Sequence, residues 1–153
     1  MGRRSANPSP AAGILYVAEI PSPGPGPGPG PGPGPGTDRV VLLIRRSAKV
    51  SQPGTWSVPG GHVDPGESRW DAACRESEEE IGHAPEDWLM EDDVQEVHMA
   101  GQAYTTFIVP APEPFLPVLN DECDDWSWIP LSEVEGLAGL HPGFRSFWSR
   151  WSR

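Results

Sequence analysis

Short apolar runs alternate with polar, turn-forming stretches along most of this chain. Gly13-Ile-Leu-Tyr-Val-Ala18 and Arg39-Val-Val-Leu-Leu-Ile44 are compact and rich in aliphatic and β-branched residues, the pattern of strands. Between them lies Pro23 to Gly36, a pure Pro-Gly repeat. Its period of two rules out the collagen helix, which needs Gly at every third residue. The repeat brings no side chains to a core and reads as a solvated tether. Closure entropy grows only logarithmically with loop length, so the flanking strands are expected to pair across it. Residues 22–38 then count as a low-complexity loop insertion within a single domain, residues 1–153, that carries residues 1–11 as an N-terminal extension.

Further along, the period changes. Trp70, Ala73, Cys74, Ser77 and Ile81 recur at helical spacing and predict an amphipathic helix that packs on a sheet. Ser68 with Asp71 forms a capping-box start, Gly82 is the expected C-cap, and Pro85 closes the segment. Ser77 interrupts the apolar stripe. Its hydroxyl is expected to bond back to the carbonyl one turn earlier. Val94 to Ala100 and Ala103 to Pro110 read as two more strands around Gly101. His98, a lone histidine in such a strand, is expected to be structural. The Trp126, Trp128 alternation marks a strand with one buried face that stops at Pro130. Ser132 with Glu135 predicts a second capping box and a short helix. Phe144, Phe147, Trp148 and Trp151 form the stripe of a final helix, with arginines opposite. Strand, strand, helix, strands, short helix, helix suits an α/β layer fold.

Charge and composition narrow the function. The 153 residues carry a formal net charge of −11, which argues against broad electrostatic binding to nucleic acid. Two cysteines, Cys74 and Cys123, imply no disulfide framework. Cys74 sits on the apolar stripe and reads as a small buried hydrophobe. No apolar run has the length needed to span a membrane. Near the N-terminus, Pro8, Pro10 and Glu19 interrupt what would have to be a secretory core, and position 6 is Ala, which breaks the myristoylation pattern after Gly2. The expected location is the cytoplasm. No feature of the sequence bears on oligomeric state.

The candidate chemistry lies in the amphipathic helix. Glu76, Glu79 and Glu80 fall at i, i+3 and i+4 on one face, close enough to repel. They also sit near the C-terminus, where the helix dipole is already negative. A bound hard dication such as Mg²⁺ would supply the missing compensation, since it prefers carboxylate oxygens. Arg45, Arg46 and Lys49 form the densest basic cluster of the folded part, placed to meet distal phosphates or simply to be solvated. Trp56 either stacks on a base or packs in the core.

Gly61, Glu67, Arg75, Glu76, Glu79, Glu80 and Gly82 follow the spacing G-x5-E-x7-R-E-U-x-E-E-x-G-U, where U is a bulky aliphatic residue. This stretch resembles the Nudix box, and all seven fixed letters match. At roughly one in 20 per letter, such a match does not arise by chance spacing. Ser77 and His83 depart from the two U positions, which bears on helix packing more than on chemistry. The lead-in Trp56-Ser-Val-Pro-Gly-Gly61 and the segment Asn120 to Trp128 also resemble Nudix sequences. The resemblance covers the chain apart from the N-terminal extension and the Pro-Gly repeat.

It implies an α/β/α sandwich with a mixed β-sheet, the box helix on one side and the C-terminal helix on the other. It implies a hydrolase that cleaves a diphosphate linkage in a nucleoside diphosphate attached to a further group. Glu76, Glu79 and Glu80 are implied as ligands of one to three Mg²⁺ or Mn²⁺ ions, with Gly60 and Gly61 backbone adding an oxygen. Glu122 is the best match for a late acidic ligand or base, with Asp121, Asp124 and Asp125 as rivals. Arg75 is implied to hold a carboxylate, and Glu67 to brace the loop. Either Glu76 or Glu122 is the general base. The substrate-binding set is Arg45, Arg46, Lys49 and Trp56. A nucleoside triphosphate is the first choice of substrate; ADP-ribose, dinucleoside polyphosphates and RNA 5′ ends are alternatives. A Nudix-fold nucleotide binder without catalysis is a separate class, disfavoured because a binder has no use for a repelling carboxylate cluster. A scaffold displaying the Pro-Gly segment is a third, supported by no second domain or peptide motif.

Overall fold

The computed structural model describes residues 9–21, 36–86, 89, 93–99, 101 and 103–152. The Pro-Gly repeat, apart from Gly36, and most of the N-terminal extension lie outside these residues. The elements are β1 (Ala11–Pro21), β2 (Thr37–Arg46), β3 (Trp56–Ser57), β4 (Gly60–His62), α1 (Arg69–Ile81), β5 (Gln95–Met99), β6 (Tyr104–Pro110), β7 (Cys123–Pro130), α2 (Leu131–Val134) and α3 (Pro142–Trp151).

The strands form one mixed sheet. β1 runs parallel to β6, from Ala11↔Tyr104 to Val17↔Pro110, and antiparallel to β2, from Val17↔Val41 to Pro21↔Thr37. The expected pairing of the two strands that flank the repeat is therefore present, and its last pair lies at the ends of the repeat. β5 and β6 form the expected antiparallel pair. β7 pairs with β2 along Val40 to Arg46.

Strand alternation sends side chains to two faces, each covered by a helix. Leu15, Val41 and Leu43 pack with Phe144, Phe147 and Trp148 of α3. Ile14, Tyr16, Leu42 and Ile44 pack with Ala73 and Ile81 of α1. The two helices thus sit on opposite sides of the sheet, giving the α/β/α sandwich. Among the described residues no helix is long and apolar enough to cross a membrane.

One feature of the sheet positions the site. β1 and β2 pair only at one end. Further along, β1 pairs with β4 at Ala11 to Gly13, and β2 pairs with β3 at Ile44 and Arg45. β6 and β7 occupy the other edges of β1 and β2, so the segment Trp56 to His62 is a wedge that splits the sheet. Its tight fit depends on glycine. A Cβ on Gly60 would lie 2.6 Å from the Ala12 carbonyl oxygen, and one on Gly13 would lie 2.7 Å from that of Pro59.

α1 begins at Ser68, whose side chain accepts the Asp71 N–H at 3.0 Å, and ends at Gly82, which takes the left-handed conformation at φ 67°. Two local expectations need correction. Ser77 does not bond back one turn. Its hydroxyl donates to the His83 carbonyl at 2.6 Å, where the Gly82 turn brings the chain back over the helix end. The Tyr16 hydroxyl, 2.6 Å away, then donates to Ser77. Nor does Ser132 cap α2. That helix starts at Leu131, directly after Pro130, and has no side-chain cap. Pro130 is still paired with Val40 at the end of β7, so the chain enters the helix at once and Ser132 already lies inside the first turn.

Candidate active site

α1 presents its glutamates to the wedge and to the turn before β7. One carboxylate oxygen from each of Glu76, Glu80 and Glu122 lies within 4.8 Å of the others. Glu76 and Glu80 are one helical turn apart. Glu122 is held by backbone contacts: its N–H donates to Asn120 Oδ1 at 2.9 Å, and its carbonyl accepts from Ser47 N–H at 2.9 Å. Asn120 N–H donates in turn to the Glu80 carbonyl at 3.1 Å, tying this turn to the end of α1.

The wedge supplies the remaining wall. Gly60 N–H donates to Glu80 Oε1 at 3.2 Å. Gly61 lies so close that a Cβ would fall 2.5 Å from Glu76 Cδ. Only glycine lets the backbone approach the carboxylate this closely.

Glu80 is only 6% exposed. Burial, then the bond with Glu76 and the charges of Glu76 and Glu122, push its carboxyl well above the ordinary range, against the pull of the Gly60 N–H. Three adjacent carboxylates, one of them buried, cannot all be charged without a cation between them. The donor set is all oxygen and converges on one point, and so suits a hard dication such as Mg²⁺ or Mn²⁺.

Arg75 sits beside this cluster. It holds Glu67 through two bonds, Nε to Oε2 at 2.9 Å and Nη2 to Oε1 at 3.0 Å, and reaches Glu76 Oε1 through Nη1 at 2.8 Å. Nη2 also donates to the His62 carbonyl at 3.1 Å. Glu67 is kept below the usual carboxylate range by Arg75, helped by the Asp64 N–H. This fork fixes the loop from His62 to Glu67 on the helix and orients Glu76. Glu79 lies outside the converging set. Its side chain is 52% exposed and meets Arg75 at 3.4 Å.

The four substrate-binding candidates are not brought together. Arg45 pairs with Asp124 at 2.7 Å and Lys49 with Asp121 at 3.0 Å, both near the surface. Trp56 packs against the core on the α3 side. Arg46 alone lines the cavity that contains the acidic cluster, a space of about 770 Å³. It donates to the Ser51 carbonyl at 2.6 Å and to Ser51 Oγ at 3.0 Å. His98 is engaged with Thr105 Oγ1 at 3.0 Å, as expected of a structural histidine.

Several cavity residues escape the sequence reading. Tyr104 and Cys123 line the wall, and so does His141. The Cys123 thiol is pushed up to about 12 by burial and by the charges of Glu80 and Glu122, so it stays protonated and is a poor nucleophile. His141 carried one usable signal: it immediately precedes Pro142, a residue favoured in the first helical turn.

The sandwich, the split sheet and the carboxylates on the helix after the wedge define a class as well as a site. The NUDIX domain sequence model matches residues 34–150. The chain belongs to the NUDIX family. It is 36% identical over 115 residues to a protein of Mycobacterium tuberculosis named putative 8-oxo-dGTP diphosphatase 3. That match takes in 72% of this chain and 52% of the relative, so the chain spans about half the length of the curated relative it matches. It is 31% identical over 91 residues to a Caenorhabditis elegans bis(5′-nucleosyl)-tetraphosphatase, covering 56% of this chain and 66% of the relative. The crystal structure of a Nudix hydrolase from M. Smegmatis, RenU, superposes with a TM-score of 0.67 at 30% identity, covering 97% of this chain and 86% of that one.

Proposed function

We propose that this chain is a divalent-cation-dependent hydrolase that cleaves a nucleoside triphosphate to the monophosphate and pyrophosphate. The observation that carries this is the convergence of Glu76, Glu80 and Glu122 on one point of a cavity roomy enough for a nucleotide. The M. tuberculosis relative, by its name, acts on a nucleoside triphosphate. The C. elegans relative favours a second reading, a dinucleoside polyphosphate, in which the same anhydride chemistry acts on a longer chain.

Glu76, Glu80 and Glu122 would hold the cation, with backbone at Gly60 and Gly61 adding an oxygen and Glu79, at the rim, available to a second ion. A dication held there would supply charge neutralisation for the diphosphate and orientation for the attacking water. A carboxylate takes the proton as the new oxygen–phosphorus bond forms and the anhydride bond breaks, with pyrophosphate leaving. Arg75 occupies one oxygen of Glu76. No described side chain is hydrogen-bonded to the Glu122 carboxylate, which favours Glu122 as that base. Arg46 is the cation placed to meet phosphate oxygens, while Arg45 and Lys49 are engaged elsewhere.

The test is a panel of ribo- and deoxyribonucleoside triphosphates, diadenosine tetraphosphate and ADP-ribose, with Mg²⁺ in ¹⁸O-water and products identified by mass. The expected result is a monophosphate and pyrophosphate, one of them labelled. Absence of metal-dependent turnover on every triphosphate, or a phosphorylated or nucleotidylated chain, would overturn the reading.

A further inference from the structure

The cavity has two unlike ends. One holds Glu76, Glu80 and Glu122, beside α1. The other is walled by Met99, Phe144 and Phe147, which belong to the core on the α3 side of the sheet. The wedge that parts β1 from β2 makes the two ends continuous. A ligand that fills the space therefore meets anion-handling chemistry at one end and apolar side chains at the other.

His141 lies in the wall and is held in one orientation. Its Nδ1 accepts the Gly143 N–H at 3.0 Å, capping α3. Nδ1 is then unprotonated, and the neutral ring carries its proton on Nε2. Burial, and secondly the charge of Arg46, hold His141 below the ordinary imidazole range, so the ring is neutral at neutral pH. No described residue accepts a hydrogen bond from Nε2. The cavity wall thus contains a donor with its tautomer and ring plane set by the helix cap.

We infer that His141 is a specificity-determining residue that donates from Nε2 to a ring carbonyl of the nucleobase, selecting bases with a carbonyl where adenine carries an amine. This rests on the nucleotide reading above. The ring is uncharged and opens α3, whose Phe144 and Phe147 wall the same cavity, while Arg46 carries the charge that phosphate oxygens need, so Nε2–H suits a neutral acceptor on the base. An exocyclic amine placed against Nε2–H sets donor against donor and leaves both unpaired, which is costly in a desolvated site.

The experiment compares inosine and adenosine monophosphates, which differ at that position, by calorimetric binding to the native chain. Monophosphate binding requires no turnover, so the result stands apart from the catalytic reading. A failure of triphosphate hydrolysis sinks the enzyme and leaves the base preference to be decided here. The expected preference for inosine monophosphate is about tenfold, the worth of one good buried hydrogen bond. His141→Ser keeps a helix cap but loses the ring donor. It should bring the ratio close to one and leave adenosine monophosphate within about twofold of native, in keeping with the loss of that one donor. His141→Asp also caps without a donor and serves if the first variant unfolds. Equal binding of the two ligands by the native chain, no binding of either, or an unchanged ratio in the variant would overturn the inference. A residue that only capped α3 would not move the ratio.

Discussion

The backbone N–H of Gly60 donates to Glu80 Oε1 at 3.2 Å, fastening the wedge in the sheet to the glutamates of α1. One residue on, Gly61 lies against the Glu76 carboxylate. The loop and the acidic cluster are therefore one unit, and the position of the carboxylates depends on backbone that has no side chain of its own.

Gly61→Ala tests that unit. The added methyl would meet Glu76 at 2.5 to 2.8 Å, and the carboxylate, as the far end of a flexible side chain, must move. The expected result is a Mn²⁺ affinity reduced by about tenfold or more, with a stability cost of about 1–3 kcal/mol for the overpacking. Metal titration beside urea denaturation separates the two. Unchanged metal affinity would show that Gly61 does not set the site.

Burial of Glu80 makes the metal-free chain sensitive to pH. Its carboxyl is raised from the ordinary 4.5 to about 9. Between those values the folded state holds a proton that the unfolded chain has released, so stability falls as pH rises. His83 and His141 are lowered from 6.5 and act in the opposite sense, but only near and below that value. With EDTA present, urea denaturation from about pH 7 to about 8, below the range where the raised Cys74 and Cys123 thiols contribute, should show declining stability, and Glu80→Gln should flatten it. A flat native profile in that window would mean Glu80 is already ionised.

Ser77 stands where the box pattern calls for an aliphatic residue, and the structure gives it a task. It is fully buried between the Tyr16 hydroxyl and the His83 carbonyl. Ser77→Ala leaves both groups poorly satisfied and should cost about 1–3 kcal/mol, with turnover per folded molecule unchanged. Combined with Tyr16→Phe, the loss should be less than the sum of the single losses. Strict additivity would show that the pair does not interact.

The Pro-Gly repeat should be dispensable. Pro21 and Thr37 face each other at the end of the β1–β2 ladder, so a two-residue Asn-Gly turn can replace the residues between them. Shortening the loop should leave stability within about 1 kcal/mol and turnover intact. Loss of cooperative unfolding would reveal a structural role for the segment.

The fold was legible where periodicity carries information. β1 and β2 are compact apolar runs, α1 has a cap at each end and an apolar stripe, and α3 repeats its aromatics at helical spacing. What the sequence hid is non-local. β3 and β4 are two and three residues long, too short to show a period, and are held by glycine close contacts and by partners distant in the chain. The helical spacing put Glu80 on an acidic face, but not under the wedge that buries it. Glu79 shares that spacing and ends half exposed, outside the set that converges with Glu122. Arg45 and Arg46 are neighbours in sequence. Strand alternation sends one to Asp124 and the other into the cavity, a division that a basic cluster read as a group conceals. Ser77 could not be matched with Tyr16, 61 residues away, from either residue's local pattern.

The most direct test of the acidic cluster as the working site is the rate of pyrophosphate release from a nucleoside triphosphate across a Mg²⁺ titration, for the native chain and Glu80→Gln. The substitution is isosteric and can keep the bond from Gly60. It removes one anionic ligand, and with it the need for a buried charge to be compensated. The expected result is strictly metal-dependent release by the native chain, and at least about a hundredfold slower release by the variant at saturating Mg²⁺, on the scale of lost transition-state charge stabilisation. Release within about threefold of native, or release that survives EDTA, would contradict it.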